Sequence, residues 1–75
     1  MTATEKHEWL ESSIHAGKTV ILSTFTRAYK VTPRTYSRFE SAGHPVWKVS
    51  GESLWMASGR KYLCADGCAI QVLDS

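Results

Sequence analysis

The hydrophobic and polar positions of this chain follow a helical spacing at the start and a strand-like pattern soon after it. Thr2 is followed three residues later by Glu5, which is the capping-box signature of a helix N-terminus. The apolar edge behind it consists of Trp9, Leu10 and Ile14. These positions predict a helix over residues 3–16. Residues 19–25 are rich in β-branched side chains and indicate a buried strand, whereas residues 26–31 fit either a paired strand or a short helix.

A second, shorter helix is predicted over residues 33–42, because start and stop signals flank it. Thr32 suits the N-cap, Pro33 suits the first helical position, and Gly43 can adopt the left-handed conformation that ends a helix. Helical periodicity then separates two arcs. One arc carries Thr35, Tyr36, Phe39 and Ala42, and the other carries Arg34, Ser37, Arg38 and Ser41. The second arc fits either a helix that docks on nucleic acid or an ordinary solvated surface.

The chain after this helix has the texture of β-structure, with short apolar runs separated by turn residues. The predicted strands are residues 46–49, 54–57, 61–65 and 68–73. Asp66 and Gly67 form the clearest turn signal, and as the centre of a type I′ hairpin they would place Leu63 opposite Ile70. Trp47, Trp55 and Tyr62 could stack on one face of this sheet and bind single-stranded nucleic acid, or the two tryptophans could fill the core.

Length and charge narrow the fold and the partners. The 75 residues predict one small α+β domain, residues 1–75, with an N-terminal helix, a strand, a short central helix and a C-terminal antiparallel sheet of three to four strands. The net charge is +2, but the basic residues are concentrated in the middle of the chain. Residues 18–48 contain one acidic residue, Glu40, and six basic residues: Lys18, Arg27, Lys30, Arg34, Arg38 and Lys48. This basic middle could bind a polyanionic partner, or it could pack against the acidic first helix of the same chain.

The residues that carry enzymatic or metal chemistry are not found at recognisable spacings. Cys64 and Cys68 are separated by three residues, and the predicted hairpin would place them on opposite faces, which disfavours a disulfide and a zinc site. The histidines, His7, His15 and His44, are scattered over different elements. We therefore predict a protein that is not an enzyme and has no metal or other cofactor. The sequence has no membrane-span or signal-peptide pattern, so we expect a cytoplasmic location.

Residues 31–43, VTPRTYSRFESAG, resemble the recognition helix of the MerR and excisionase-like winged helix-turn-helix proteins. In that family a Val-Ser/Thr start is followed by Arg-Thr, an aromatic-containing helix and a Gly before a β-hairpin wing. The resemblance implies that Tyr36 and Phe39 anchor the helix, and that residues 45–58 form the wing. The residues that it places in the major groove or on its phosphates are Arg34, Thr35, Ser37 and Arg38.

Two functions from different classes are compatible with these features. The first is a small DNA-binding protein of regulator or recombination-accessory type, in which further phosphate contacts come from Lys30, Lys48, Arg60 and Lys61. The second is a protein-interaction module of the phage or mobile-element type that inhibits or modulates a host protein complex. Its candidate contact residues are Trp9, Trp47, Trp55 and Tyr62. A chain of this length that reads DNA specifically is also expected to work as a homodimer or with a partner.

Overall fold

A computed structural model describes residues 1–74 as two α-helices and two three-stranded antiparallel sheets. The helices are α1 (Ala3–His15) and α2 (Pro33–Ser41). The strands are β1 (Thr19–Ser23), β2 (Ala28–Val31), β3 (Trp47–Ser50), β4 (Ser53–Ser58), β5 (Lys61–Cys64) and β6 (Ala69–Leu73). The α+β class and the predicted order of elements are confirmed. Neither helix of the described chain is long and apolar enough to cross a membrane.

Both helices begin at the capping residues that the sequence predicts. The Thr2 hydroxyl accepts the backbone N–H of Glu5 at 3.1 Å, and the Glu5 carboxylate accepts the N–H of Thr2 at 3.2 Å. This hydrogen bond to the charged form lowers the pKa of Glu5. At α2, the Thr32 hydroxyl accepts the N–H of Thr35 at 3.2 Å. Gly43 follows the helix with a φ of 79°, a conformation that favours glycine.

The first sheet has the strand order β2-β1-β6, so β1 is its central strand. β2 pairs with β1 in an antiparallel hairpin, which answers the open question of residues 26–31 in favour of a strand. Leu22 lies opposite Tyr29 on one side and opposite Ile70 on the other. The second sheet has the order β3-β4-β5 and is a simple antiparallel meander.

The hairpin predicted over residues 61–73 is wrong, because its two strands belong to different sheets. Leu63 of β5 lies opposite Met56 of β4, and Ile70 of β6 lies opposite Leu22 of β1. β5 therefore pairs with β4, and β6 pairs with β1. The two strands are consecutive in the chain but do not pair with each other.

Hydrogen bonds at the link between β5 and β6 explain why the chain changes sheets there. The Ala65 N–H donates to the Leu54 carbonyl at 2.7 Å, and the Leu54 N–H donates to the Asp66 carboxylate at 3.3 Å. The bond to Leu54 lowers the pKa of Asp66. The Cys68 N–H then closes a turn on the Ala65 carbonyl at 3.2 Å. The predicted turn forms, but its first half is held against β4.

The core lies between α1 and the inner faces of the two sheets. α1 contacts β1, β3 and β4, so a single helix covers parts of both sheets. The largest fully buried side chains are Trp47, Leu10, Leu22, Leu54, Met56, Val20 and Val46. Because both sheets depend on α1 for cover, the two sheets and the helix share one hydrophobic core.

Candidate nucleic-acid interface

The two faces of α2 differ in burial as the sequence predicts. Arg34, Ser37, Arg38 and Ser41 are exposed. On the other arc, Tyr36 is buried and Thr35 and Phe39 are half-buried, but Ala42 is exposed because it lies at the C-cap. The hydroxyl of Thr35 is 3.0 Å from that of Thr32, so this side chain belongs to the helix cap more than to the outer face. The outer face therefore presents two arginines one helical turn apart.

Tyr36 fixes the inner face of α2 to the rest of the molecule. Its hydroxyl donates a hydrogen bond to the Glu11 carboxylate of α1, and its ring lies 5.9 Å from that of Trp47 and edge-on to His15 at 5.7 Å. Burial, and then the bond to Glu11, raise the pKa of Tyr36. The other Glu11 oxygen lies 3.3 Å from His7. These contacts set the orientation in which α2 shows its arginines to solvent.

Replacing Tyr36 by Phe is expected to lower the free energy of unfolding by about 1 kcal/mol, because the Glu11 carboxylate loses its hydroxyl donor in a half-buried site. The measurement is the midpoint of urea unfolding followed by circular dichroism. Tyr29→Phe is the matched control, since this half-buried tyrosine is not part of the network. Equal midpoints for the two variants would show that the Tyr36 hydroxyl contributes nothing.

A surface groove of about 330 Å³ separates α2 from β2 and from the β4–β5 turn, which consists of Gly59 and Arg60. Its lining includes Lys30, Thr35, Phe39, Ala57 and Gly59. Two adjoining hollows share Ala57 and Gly59 with this groove. One adds Arg38 and His44, and the other adds His44, Arg60 and Tyr62. The groove and hollows bring side chains from four parts of the sequence to one side of the molecule.

Three of the predicted cations, Lys30, Arg38 and Arg60, line the groove or its adjoining hollows. We use the term basic surface for Lys30, Arg34, Arg38, Lys48, Arg60 and Lys61, all of which are exposed. Lys48 lies at its edge, with the ammonium group 4.0 Å from the centre of the Tyr62 ring, a cation–π contact. The Tyr62 hydroxyl donates to the Pro45 carbonyl at 2.9 Å, which holds the ring in place.

No carboxylate neutralises the basic surface within residues 1–74. The ion pair there joins Lys18 to Asp74 at 3.5 Å, and His7 lies 3.3 Å from Glu11. The sequence left open whether the acidic first helix folds onto the basic middle of the chain. Glu11 instead faces His7 and Tyr36. The cations of the basic surface are therefore available to an external anion.

The aromatic residues do not form the single sheet face that the sequence allowed. Trp47 lies opposite Met56 and points into the core, where 1% of it is exposed. Trp55 pairs with Lys48 on the outer face of the same sheet and is half-buried. Side chains alternate along a strand, so Trp47 and Lys48 necessarily lie on opposite faces. Trp47 is thus not at the surface, either for stacking on bases or for binding a protein.

Trp9 is separated from the other two aromatic candidates, Trp55 and Tyr62. Trp9 is 37% exposed on α1, which covers the inner faces of the sheets, whereas Trp55 and Tyr62 lie on the outer face of the second sheet. Sequence reasoning missed His44 as a lining residue of the basic region. No sequence signal could have revealed it, because its position depends on how the β4–β5 turn folds beside α2.

The described residues contain no group of three His, Cys, Asp or Glu side chains that could hold a metal ion. Comparison of the chain with protein-family models, with curated protein sequences and with solved structures gave no match.

Proposed function

We propose that this protein is a small non-enzymatic DNA-binding protein of regulator or recombination-accessory type, which contacts duplex DNA through the outer face of α2. The observation that carries this proposal is the pair Arg34 and Arg38. Both are exposed on one face of a helix whose other face is fixed in the core, and neither has a carboxylate partner within residues 1–74. Arginine donors on an anchored helix suit both base edges and phosphates.

The other cations of the basic surface suit contacts to phosphates, which fix the position of a protein on the duplex. Lys30 lies on β2, directly before α2, while Arg60 and Lys61 lie at the β4–β5 turn on the far side of the groove. A helix with basic groups beside it can enter the major groove while those neighbouring groups contact the sugar-phosphate backbone. In this chain a β-hairpin and α1 hold the helix, where the MerR and excisionase-like proteins use a preceding helix and turn.

The test is fluorescence-anisotropy binding of the protein to random-sequence duplex and single-stranded DNA over a series of salt concentrations. We expect duplex binding whose log affinity falls linearly with log salt concentration, with a slope of about −4 to −5 if five or so cations contact phosphates. A preference for single strands would direct attention to Trp55 and Tyr62 in place of α2. No binding to either DNA at low salt would contradict the proposal.

The second candidate is a protein-interaction module that inhibits or modulates a host protein complex. The observation in its favour is Trp9, a large aromatic side chain on α1 that is 37% exposed. Tryptophan is enriched among residues that dominate binding energy at protein interfaces. We expect this candidate to be correct if DNA binding is absent and Trp9→Ala abolishes the capture of a specific partner from a host lysate.

A further inference from the structure

The loop that joins β1 to β2 displays a phenylalanine away from the body of the protein. Phe25 is fully exposed, so no described residue covers its ring. It is one of four loop residues, 24–27, between the paired ends Ser23 and Ala28. A large apolar side chain that is fully exposed at a loop tip contributes nothing to the core and is more consistent with a contact surface.

The loop holds Phe25 in a defined position. The Thr24 N–H donates to the Arg27 carbonyl at 2.7 Å, and the Thr24 hydroxyl accepts the N–H groups of Arg27 at 3.0 Å and of Thr26 at 3.4 Å. The same hydroxyl lies 3.2 Å from the Arg27 carbonyl. These bonds close the loop backbone on both sides of Phe25, so less backbone freedom is lost when the loop binds a partner.

The charged residues that flank Phe25 in the sequence are basic and favour a polyanionic partner. Arg27 is exposed in the same loop, Lys30 follows on β2, and residues 12–39 contain no Asp or Glu. β2 leads from this loop directly into α2, and its residues line the groove beside Phe39. At about 3.3 Å per strand residue, the loop lies roughly 13 Å before the helix, the length of about four base pairs. This spacing is within the length of one DNA site.

We infer that Phe25 is a wedge that enters between adjacent base pairs of duplex DNA, while Arg27 and Lys30 contact the phosphates beside the opened step. Proteins that insert an apolar side chain in this way unstack one step and bend the duplex by about 20–90°. This inference rests on the proposed function and adds a second DNA contact to that of α2. It also assigns to this protein a DNA-bending activity, which the helix alone does not require.

The experiment uses duplexes of about 20 base pairs that carry 2-aminopurine beside a pyrimidine–purine step, since such steps unstack most easily. The fluorescence of 2-aminopurine rises when it is unstacked, and energy transfer between dyes at the two duplex ends reports the bend. We expect the unchanged protein to produce both signals. Phe25→Ala should lose both signals but keep the salt slope of binding, because no charge is removed. Phe25→Leu should retain part of each signal.

Thr26→Ala is the matched control, since it changes a neighbouring exposed loop residue and leaves the aromatic ring in place. It should behave like the unchanged protein. Equal fluorescence and bending for Phe25→Ala and the unchanged protein, or duplex binding without either signal, would overturn the wedge and leave DNA binding by α2 standing. Failure of the unchanged protein to bind duplex DNA would overturn both.

Discussion

Replacing Arg34 and Arg38 together by glutamine is expected to weaken duplex DNA binding roughly 10- to 100-fold at about 0.1 M salt. The slope of log affinity against log salt concentration should become less steep by about 1.8, since each phosphate contact accounts for about 0.9. Both side chains are exposed and make no ion pair within residues 1–74, so the fold should not change. Anisotropy titrations at four or more salt concentrations give both quantities.

A second double variant, Lys6→Gln with Lys18→Gln, separates this effect from that of net charge. It removes the same two positive charges from positions outside the basic surface, one on α1 and the other paired with Asp74. We expect it to change the salt slope little. Equal losses in the two double variants would mean that overall charge, and not the outer face of α2, accounts for binding. An unchanged slope in the arginine variant would show that the assigned face is wrong.

The largest expected effect on stability comes from Leu22→Ala in the centre of the first sheet. Leu22 is completely buried on the core face of β1, and truncation leaves a cavity on that face beside Tyr29 and Ile70, the residues opposite it in β2 and β6. Such changes cost about 2–5 kcal/mol, against a total stability of roughly 4–11 kcal/mol for a chain of this length. The urea concentration at the midpoint of unfolding should fall by a large fraction of its value for the unchanged protein. Ile21→Ala, a half-exposed position on the opposite face, is the control and should cost less.

A double-mutant cycle on the same residue tests the pairing of β1 with β6. Leu22 lies opposite Ile70, so Leu22→Ala and Ile70→Ala should be non-additive by about 0.5 kcal/mol or more. In the hairpin that the sequence suggested, Ile70 would instead pair with Leu63. Strict additivity between Leu22 and Ile70, with coupling between Leu63 and Ile70, would favour that hairpin over the sheet order described here.

The elements that sequence predicted well are those whose signals are local. A cap such as Thr32 acts on backbone groups within one turn, and Pro33 and Gly43 restrict their own φ angles, so the bounds of α2 follow from a few neighbouring residues. The partner of β6 does not follow from such signals. Asp66 and the following glycine do form a turn, but whether the strand after it pairs with β5 or with β1 depends on which edge is open in the folded chain.

The residues of the candidate site also divide into those that a local sequence pattern identifies and those that only the packing of distant segments brings together. The exposed arc of α2 follows from a period of about 3.6 residues, so Arg34 and Arg38 could be assigned from sequence. That Arg60 lies beside the same groove follows from the packing of distant segments, which no local pattern encodes. Trp47 and Trp55 lie in adjacent strands, and a shift of one residue in register would exchange buried and exposed faces, so composition could not place them.

The position of β1 between β2 and β6 has a consequence for how the protein is made. β2 leaves the ribosome soon after β1, but β6 follows about fifty residues later, so at 5–20 residues per second the growing chain exposes one edge of β1 for roughly 3–10 seconds. During this time the apolar face around Leu22 lacks part of its cover. The nascent chain is therefore expected to need a chaperone to avoid aggregation, and stalling before β6 should yield a protease-sensitive product.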